Sequence, residues 1–509
     1  MVNIDLFCCG FFRTIKEKRR IIVKDVIQGL EPQRLWEHFY EIAQIPRCSK
    51  HEEKIRDYVI SVAKRNGADY KVDSVGNIVI RKPATPGKEN KPIVVLQSHL
   101  DMVCEKNKDV AHDFSKDPIQ LKREGDWMMA RGTTLGADNG IGAAAALAVL
   151  ESPDISHGPL ELLFTVDEET GLTGATGLGS DMLEGRILLN LDSEEDGAIY
   201  IGCAGGRDTE FFLKLQTEAV PTGYAAVMVV LGGLQGGHSG LNIHEGRGNA
   251  IKLLARFLWK VAPELGFRLA AIEGGNKHNA IPREADAIGY LPSDKVEQLV
   301  SLANTYQDIF RNEYQLIDKD VRVTIRTEGF QAPEQVFSED FQFRLLNMLY
   351  AMPHGVISMS LAVPGLVETS TNLAVIKTEA DRVRILTSQR SSVESRLDEI
   401  CEMVSAVGKL VQAEIRHGDG YPAWQPNPDS HTLKLAKQVY RELYGKEPEV
   451  KAVHAGLETG IIGDKFPGMD MISFGPTILG AHSPDERVQI STVKKFWDFM
   501  VALLEKLAA

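Results

Sequence analysis

Five acidic or histidine residues have the types and placement expected of ligands for a pair of metal ions. They are His99, Asp138, Glu169, Asp192 and His482, found in the segments SHLD, LGADNG, TVDEETG, NLDSE and GAHSPDERV. A sixth residue, Glu168, stands next to a ligand candidate without being needed as one. Metal-assisted hydrolysis requires a clamp for the cations and a separate base for the attacking water, so this set predicts that chemistry.

Each of these residues alone is weak evidence. The pattern HxD occurs by chance, DNG is a common turn, and an acidic pair after a strand often begins a solvated helix. A lone histidine is usually structural. Burying this much negative charge in one place would be costly without a cation, so the set as a whole predicts a metal site.

Two cations fit the set better than one. One carboxylate has to bridge, and Asp138 is the natural choice because a loop can point both of its oxygens outward. His99 and Asp192 would complete one metal, and Glu169 and His482 the other. Nitrogen and oxygen ligands of this kind suit Zn²⁺ best, with Mn²⁺ or Co²⁺ as substitutes.

Two further carboxylates have predicted roles beside the metals. Asp101 lies two residues beyond His99 and can accept the other imidazole N–H, which orients the ring. Glu168 remains as the general base. It would take a proton from the attacking water and pass it to the leaving amine.

Three apolar segments have to bring these residues together. PIVVLQ (92–97), LELLFTV (160–166) and ILLNL (187–191) are each followed at once by ligand candidates. Segments that are apolar on both faces are typical of buried parallel strands, whose carboxyl ends collect ligands. Predicted helices at residues 32–45 and 141–150 alternate with them, which favours an α/β catalytic domain with a mostly parallel, helix-covered sheet. Another helix is predicted from Ser49, with Glu52 completing a capping box.

The pattern changes after residue 206. AAVMVVLGGL, two predicted helices (249–265 and 296–314) and a hairpin across Ala380 and Asp381 indicate an inserted α+β domain. The predicted organisation is an N-terminal extension (1–31), a catalytic domain that carries the metal site (32–206 and 421–509) and the inserted domain (207–420).

Composition excludes several classes of protein. The net charge of −13 argues against nucleic acid as the main partner, because phosphate binding needs clustered Lys and Arg. No apolar run is long enough to span a membrane. The six cysteines are scattered and form no CxxC pair, so we expect no disulfide framework and a reducing cytoplasm.

The N-terminus is unusual. FCCGFF (7–12) precedes the basic stretch TIKEKRR, which is the reverse of the order in a signal peptide. A membrane anchor acylated at Cys8 and Cys9 is one interpretation. A poorly ordered extension is the favoured alternative.

Seven segments together resemble the aminoacylase/carboxypeptidase family of co-catalytic zinc peptidases. They are SHLDMV, RGTTLGADNGIG, LELLFTVDEETGLTGA, LLNLDSE, GLQGGHSG, HAGLETG and FGPTILGAHSPDE. Their order, spacing and flanks agree with the family from about Pro32 onward. The resemblance implies the same five metal ligands, with Glu168 as the base and Asp101 as the acid that orients His99.

The resemblance also implies that residues 207–420 form a lid that contacts substrate. His238 in GGHSG would help to polarise the scissile carbonyl, although a histidine that packs a turn is the alternative. Arg390 and Asn279 would hold the substrate carboxylate or backbone, with an exposed surface arginine as an equal alternative. Glu458 in HAGLETG is the candidate for binding the free amino group.

Asp192 narrows the expected activity. In this family an Asp at that position goes with aminopeptidases and dipeptidases, and a Glu goes with aminoacylases or carboxypeptidases. The resemblance therefore implies a cytoplasmic metallodipeptidase, as a homodimer, that hydrolyses unblocked dipeptides, including Xaa-His dipeptides such as carnosine. A tripeptidase or N-acyl amino acid deacylase is the alternative. A non-catalytic peptide-binding protein is disfavoured because it has no use for Glu168.

Overall fold

The three apolar segments that precede the ligand candidates form adjacent strands of one sheet. The computed structural model describes residues 25–509, so the predictions for Cys8 and Cys9 lie outside the described residues. Within the predicted extension, Ile27 and Leu30 are buried. At least this end of the extension is therefore part of the folded protein.

The helices and strands are as follows. Residues 25–509 contain twelve α-helices: α1 (Gln33–Ala43), α2 (Glu53–Arg65), α3 (Ala137–Glu151), α4 (Glu168–Gly171), α5 (Thr173–Gly177), α6 (Ala250–Leu265), α7 (Val296–Glu313), α8 (Glu339–Ala351), α9 (Glu394–Leu410), α10 (His431–Tyr444), α11 (Glu458–Lys465) and α12 (Ile490–Leu507). The strands of the same residues are β1 (Asp69–Val72), β2 (Ile78–Lys82), β3 (Val94–His99), β4 (Leu121–Glu124), β5 (Trp127–Ala130), β6 (Leu160–Thr165), β7 (Ile187–Asn190), β8 (Ala198–Cys203), β9 (Gly205–Lys214), β10 (Thr217–Ala219), β11 (Tyr224–Gly232), β12 (Gly237–His238), β13 (Arg268–Gly274), β14 (Ala280–Ile281), β15 (Ala285–Pro292), β16 (Arg322–Arg326), β17 (Gln335–Phe337), β18 (Gly355–Met359), β19 (Val367–Thr378), β20 (Arg382–Ser391), β21 (Glu414–His417), β22 (Glu449–Val453), β23 (Asp470–Ser473), β24 (Ile478–Leu479) and β25 (Arg487–Gln489).

The chain divides into two compact units. The first comprises the residues up to Ile201 together with Asn427–Lys451 and Leu457–Ala509, and the second comprises Gly202–Pro426 with Ala452–Gly456. The predicted boundaries at 206/207 and 420/421 lie a few residues away, and they left the short segment Ala452–Gly456 in the catalytic domain. That segment joins the second unit because the Ala204 N–H donates to the carbonyls of both Val453 and Ala455, at 3.0 and 3.1 Å.

The first unit is built on an eight-stranded sheet with the order β1-β2-β6-β3-β7-β23-β8-β22. Its centre is parallel, since β3 pairs in parallel with β6 and β7, and β7 with β23. Antiparallel strands flank this centre: β2 beside β6 and β8 beside β23. The predicted α/β class is confirmed, and the parallel pairing belongs to the four central strands.

The register brings the strand ends level. His99 is opposite Thr165 of β6, and Gln97 is opposite Asn190 of β7. All residues of β3 and β6 are buried. Because parallel strands that are in register end at one edge, the residues that directly follow them emerge side by side.

Helix α3 packs on this sheet, and α1 packs on α3. The buried residues of α1 include Leu35, Phe39 and Ile42, which recur at helical spacing and form one apolar stripe. Helix α3 is buried on nearly every side, and it packs against both α1 and β3. The alanines of α3 suit this place because they favour helix and need little room.

The predicted capping box at Ser49 and Glu52 is wrong. Helix α2 begins at Glu53, and neither side chain caps it. Instead the Ser49 hydroxyl donates to Asp101 Oδ2 over 2.7 Å, and Glu52 Oε1 accepts from the backbone N–H groups of Lys50 and Asp167. The side chains of Ser49 and Glu52 therefore form hydrogen bonds with other polar groups of the unit instead of capping α2.

The expectation about cysteines also needs correction. Cys48 and Cys104 form a disulfide, with their Cα atoms 5.7 Å apart. Fifty-six positions separate the two residues, so spacing gave no sign of the pairing. Disulfides are rare in reducing compartments, so this bond weakens the argument from cysteines for a cytoplasmic location.

A small sheet holds the late part of the chain next to the ligand-bearing edge. Its order is β24-β25-β5-β4, all antiparallel. The loop between β24 and β25 contains His482 and Glu486. Pairing with β5 therefore positions a segment that is distant in sequence.

The second unit is an antiparallel sheet covered by helices. Its strand order is β16-β11-β15-β13-β19-β20-β9-β21, with β18 added beside β19. The predicted hairpin across Ala380 and Asp381 is formed by β19 and β20. Its core contains Phe257, Phe310 and Phe341 from the covering helices. Among residues 25–509, no helix is long and apolar enough to cross a membrane.

Candidate metal centre

The carboxylate of Asp138 lies between two histidines. Its Oδ1 is 3.0 Å from Nε2 of His99, and its Oδ2 is 3.2 Å from Nε2 of His482. The two oxygens thus point to different partners. This is the arrangement of a carboxylate that could bridge two cations.

Two more carboxylates complete the cluster. Asp192 Oδ1 lies 3.4 Å from Nε2 of His99, and Glu169 Oε2 lies 2.9 Å from Nε2 of His482. The ligand atoms of His99, Asp138 and Asp192 form one compact group, and those of Asp138, Glu169 and His482 form another. The five residues predicted from sequence are therefore brought together, in two groups that share Asp138.

Each of the five residues is placed by the end of a helix or strand. His99 ends β3, and Asp192 comes just after β7. Glu169 lies in α4, which follows β6. Asp138 stands in the first turn of α3 with non-helical backbone angles, and His482 has a left-handed φ of 63° in the loop before β25. The sheet edge supplies His99, Glu169 and Asp192, the start of α3 supplies Asp138, and the loop before β25 supplies His482.

The sequence of residues 95–506 matches the family model described as "Peptidase family M20/M25/M40". The chain belongs to this peptidase family. It is 47% identical over 483 residues to "Cytosol non-specific dipeptidase" of Escherichia coli (strain K12), an alignment that covers 95% of this chain and 99% of that protein.

The chain is also similar to solved structures of peptidases. This M20 chain matches the crystal structure of aminoacylhistidine dipeptidase from Vibrio alginolyticus with 47% identity and a TM-score of 0.88, over 94% of this chain and 97% of that one. The structure of aminopeptidase PepT from Bacillus cereus matches with 16% identity and a TM-score of 0.56, over 94% of this chain and 100% of that one. At that identity, the second match speaks for the fold alone.

The chemistry of the cluster in this M20 protein fits divalent cations. Burial raises the pKa of Asp192 to about 6, and hydrogen bonds to Asp138 and Glu169 raise the pKa of His482 to about 11. Oε1 of Glu169 is buried without a hydrogen-bond partner among the described residues. Crowded carboxylates that hold a proton on a neighbouring imidazole exchange that proton for a metal ion, and imidazole with carboxylate suits zinc.

Asp101 contacts both His99 and the turn that carries Glu168 and Glu169. Its Oδ1 lies 3.3 Å from His99 Nδ1 and accepts from the backbone N–H of Glu168 over 3.0 Å. Its Oδ2 accepts from the Glu169 N–H and the Ser49 hydroxyl. Burial opposes ionisation, but the contact with the His99 imidazole and the hydrogen bonds from the Ser49 hydroxyl and the Glu168 N–H hold the pKa of Asp101 well below its usual range. One ionised carboxylate therefore fixes an imidazole and the turn that carries two acidic residues.

Glu168 lies in the same cluster without joining either of the two groups that share Asp138. It forms a separate compact group with His99 and Glu169. Burial is the main cause that raises its pKa well above the usual range, and the charges of Asp192, Glu458 and Glu169 add to it. A half-buried carboxylate with a raised pKa, beside a candidate metal site, has the character of a group that moves protons.

Glu458 is the candidate substrate-binding residue that lies in the first unit. It begins α11 and is fully buried. Its Oε2 accepts hydrogen bonds from the side chains of Gln97 and Thr165, whereas its Oε1 has no hydrogen-bond partner among the described residues. Burial raises the pKa of Glu458 to about 8.

His238 and Asn279 are neighbours within the second unit. Strand β12 pairs with β14 so that His238 is opposite Ala280, and the Ser239 N–H donates to the Asn279 carbonyl over 2.8 Å. Nδ1 of His238 accepts from the N–H groups of Gly240 and Leu241. Burial, followed by the charges of Arg390 and His278, lowers the pKa of His238 to about 4. The ring is therefore neutral at pH 7 and carries its proton on Nε2, where it can donate.

Arg390 is buried in the second unit, so the alternative of an exposed surface arginine is wrong. Only 6% of the residue is exposed. Its Nη1 donates to the hydroxyl of Tyr421 over 2.7 Å, while its Nε has no hydrogen-bond partner among the described residues. A buried guanidinium with a spare donor is suited to binding a carboxylate.

Sequence reasoning missed several polar residues that support the cluster. Asn139 donates to the Asp192 carboxylate and to the Leu191 carbonyl. Arg47 and Glu486 are both buried and bond to the loops that carry the cluster. A local signal existed for Asn139, which follows Asp138 in LGADNG, and for Glu486, which lies four residues after His482 in HSPDERV. Arg47 precedes Cys48 in a segment without any motif.

Proposed function

We propose that this protein is a two-metal dipeptidase that hydrolyses the peptide bond of unblocked dipeptides, Xaa-His dipeptides such as carnosine included. The observation that carries the proposal is the Asp138 carboxylate, whose two oxygens face His99 and His482 separately. Membership of the M20 family and two relatives named as dipeptidases, each 47% identical, support the same activity.

The proposed ligand sets follow the two groups of the cluster. Asp138 would be shared between the two ions, with His99 and Asp192 holding one and Glu169 and His482 the other. Zn²⁺ is the proposed metal because imidazole and carboxylate donors suit it, with Mn²⁺ or Co²⁺ as substitutes. When bound, the two ions would polarise the scissile carbonyl and acidify the attacking water.

The protein's own groups carry out the proton transfers. Glu168 takes a proton from the attacking water and delivers it to the leaving amine. Asp101 keeps His99 in one orientation. It also accepts a hydrogen bond of 3.0 Å from the backbone N–H of Glu168, which fixes the position of the base. A neutral His238, with its proton on Nε2, is suited to stabilise negative charge on the carbonyl oxygen.

Charged and polar side chains are proposed to recognise the two ends of the dipeptide. Arg390, with Asn279, binds the substrate carboxylate or backbone, since its Nε is unpaired among the described residues. Glu458 binds the free amino group through Oε1, the oxygen that has no partner. Recognition of both ends would restrict the enzyme to short, unblocked peptides.

A substrate panel on the zinc-loaded protein tests the proposal. We expect carnosine and other free dipeptides to be hydrolysed, and N-acetyl amino acids and tripeptides to react far more slowly. Dialysis against a chelator should abolish the activity, and added Zn²⁺ should restore it. Preferential hydrolysis of tripeptides or N-acyl amino acids would favour the alternative activities, and no hydrolysis at all would favour a peptide-binding protein.

Location and assembly remain proposals as well. One relative is named as a cytosol enzyme, which supports a cytoplasmic location, and we propose a homodimer. Fractionation of cells and light scattering of the purified protein test these two statements. Recovery in a membrane pellet or a monomeric mass would contradict them.

A further inference from the structure

The buried carboxylate of Glu486 holds the loop that carries Asp138. Its Oε2 accepts from the backbone N–H groups of Leu135 and Gly136, at 2.7 and 2.9 Å. Its Oε1 accepts from those of Ala137 and Asp138, at 2.7 and 3.3 Å. Only 2% of Glu486 is exposed. Four consecutive amides thus converge on one side chain.

The helix itself offers these N–H groups no hydrogen-bond acceptor. They precede or begin α3, whose first N–H groups lack partners within the helix, and the residue before the helix supplies no side-chain cap. Buried N–H groups without a partner are costly, and a carboxylate is the strongest available acceptor at a helix N-terminus. Glu486 therefore acts as a cap contributed from a point 348 residues further along the chain.

Arg47 holds the same loop from the other side. Its Nη2 donates to the Gly136 carbonyl, and its Nη1 donates to the carbonyls of Leu100 and Asp101 at 2.9 and 2.6 Å. Glu486 is the strongest of the acidic groups that act on the Arg47 charge. The peptide unit of Gly136 is thus clamped between a buried anion and a buried cation.

Arg47 and Met102 pack closely against Gly136 in this loop. Gly136 has a φ of +71°, and a Cβ at this position would lie 2.5 Å from Nη2 of Arg47 and 2.8 Å from Sδ of Met102. A side chain here would therefore be strained by its backbone and would push the guanidinium away. The backbone at Gly136 is therefore closely packed against Arg47 and Met102.

We propose that Glu486, with Arg47 as its counter-charge, is a positioning residue that sets the Asp138 carboxylate between the two metal sites. Glu486 is linked to two of the ligand candidates. Its side chain accepts a hydrogen bond from the Asp138 N–H, and His482 lies four residues before it in the same loop. The one side chain thereby ties together two of the ligand candidates, although it binds neither metal.

Glu161 offers a matched control. It is also 2% exposed in the first unit, and its carboxylate accepts three hydrogen bonds from the backbone N–H groups of Glu184 and Gly185, at 3.0 to 3.2 Å. Glu161 lies near the start of β6, at the opposite end of that strand from Glu168 and Glu169. The same substitution at Glu161 removes a similar buried carboxylate without touching a ligand-bearing loop.

The test compares Glu486→Gln with Glu161→Gln in the full-length protein. Each metal-free variant is titrated with Zn²⁺ in competition with a chromophoric chelator, and its melting temperature is recorded. We expect both to melt at lower temperature, and only Glu486→Gln to bind zinc more weakly, by about tenfold or more, as is typical when partners of metal ligands are removed. Unchanged zinc affinity in Glu486→Gln, or an equal loss in both variants, would overturn the proposal.

Glu486→Asp supplies a second test in case Glu486→Gln does not fold. It keeps the charge and shortens the side chain by one methylene, so it should recover part of the zinc affinity and bind more tightly than Glu486→Ala. Equal affinities in the Asp and Ala variants would contradict the inference. Because zinc binding is measured without substrate, a failure of the proposed dipeptidase activity would leave this result intact.

Discussion

Thr165 donates a hydrogen bond of 2.6 Å from its hydroxyl to Oε2 of Glu458, and both side chains are fully buried in the first unit. Gln97 donates to the same oxygen over 2.7 Å. These two bonds fix the carboxylate and leave its Oε1 without a partner among the described residues. That oxygen is the one we expect to receive the ammonium group of a substrate.

Glu458→Gln should therefore reduce the preference for a free amino terminus. The variant keeps the size of the side chain but can no longer ionise against the ammonium group of the substrate, so kcat/KM for a free dipeptide should fall by about tenfold or more, or about 1.4 kcal/mol per factor of ten. The value for the N-acetylated dipeptide should change little. The ratio of the two is the measurement, and an unaltered ratio would remove Glu458 from the amine site.

Glu168→Gln should separate metal binding from catalysis. Loss of a general base lowers kcat by about 10²- to 10⁴-fold. Zinc content, measured by mass spectrometry of the metals, should stay at the wild-type value because Glu168 belongs to neither of the two groups that share Asp138. Glu169→Gln is the contrasting variant and should lose zinc. Full activity in a zinc-loaded Glu168→Gln protein would show that another group is the base.

The disulfide between Cys48 and Cys104 should contribute measurably to stability. It closes a loop across 56 positions, for which the loss of chain entropy in the unfolded state is worth about 4 kcal/mol. Reducing agent should lower the melting temperature of the wild-type protein, but not that of a Cys48→Ser/Cys104→Ser double variant. If reducing agent affects both proteins alike, the bond is not the cause.

His38 should make the stability of the first unit depend on pH. The residue is 3% exposed, and its Nδ1 lies 2.8 Å from the Tyr58 hydroxyl. Burial lowers the pKa of His38 from 6.5 to about 4, although Glu151 opposes the shift. Since the folded pKa is the lower one, the unfolded chain binds the proton first. The stabilising contribution is complete above about pH 6.5 and is lost as the pH falls towards 4.

The size of that loss is about 3 kcal/mol, at 1.36 kcal/mol for each pKa unit. Urea unfolding at pH 7 and pH 5 should show a smaller difference in the free energy of unfolding for His38→Gln than for the wild type. His431→Gln removes an exposed histidine and serves as the control. An identical pH dependence in all three proteins would contradict the assignment to His38.

The elements that are local in sequence could be predicted well. The segments 160–166 and 187–191 match β6 and β7 within two residues, and the predicted helix 249–265 matches α6. Apolar periodicity and short continuous apolar runs determine such elements through neighbours a few positions away. Three of the five ligand candidates, His99, Glu169 and Asp192, followed from the ends of such strands, because parallel strands in one sheet end together.

The features that could not be predicted depend on contacts between distant segments. Ser49 reads as a helix cap, but it bonds instead to Asp101, which is 52 positions away. Glu486 reads as an acidic residue in a turn, yet it caps a helix 348 positions earlier. No local pattern records such a partner, since the charge and burial that select it exist only in the folded chain. The Cys48–Cys104 pair escaped prediction for the same reason.

The order of the ligand candidates along the chain has a consequence for synthesis. His99, Asp138, Glu169 and Asp192 leave the ribosome before the second unit, and His482 leaves after it. A nascent polypeptide therefore lacks the last imidazole of the centre, and the Glu486 clamp with it, until translation has passed through the whole insertion. Incomplete chains should therefore contain only part of the ligand set. We expect them not to hydrolyse the peptides around them.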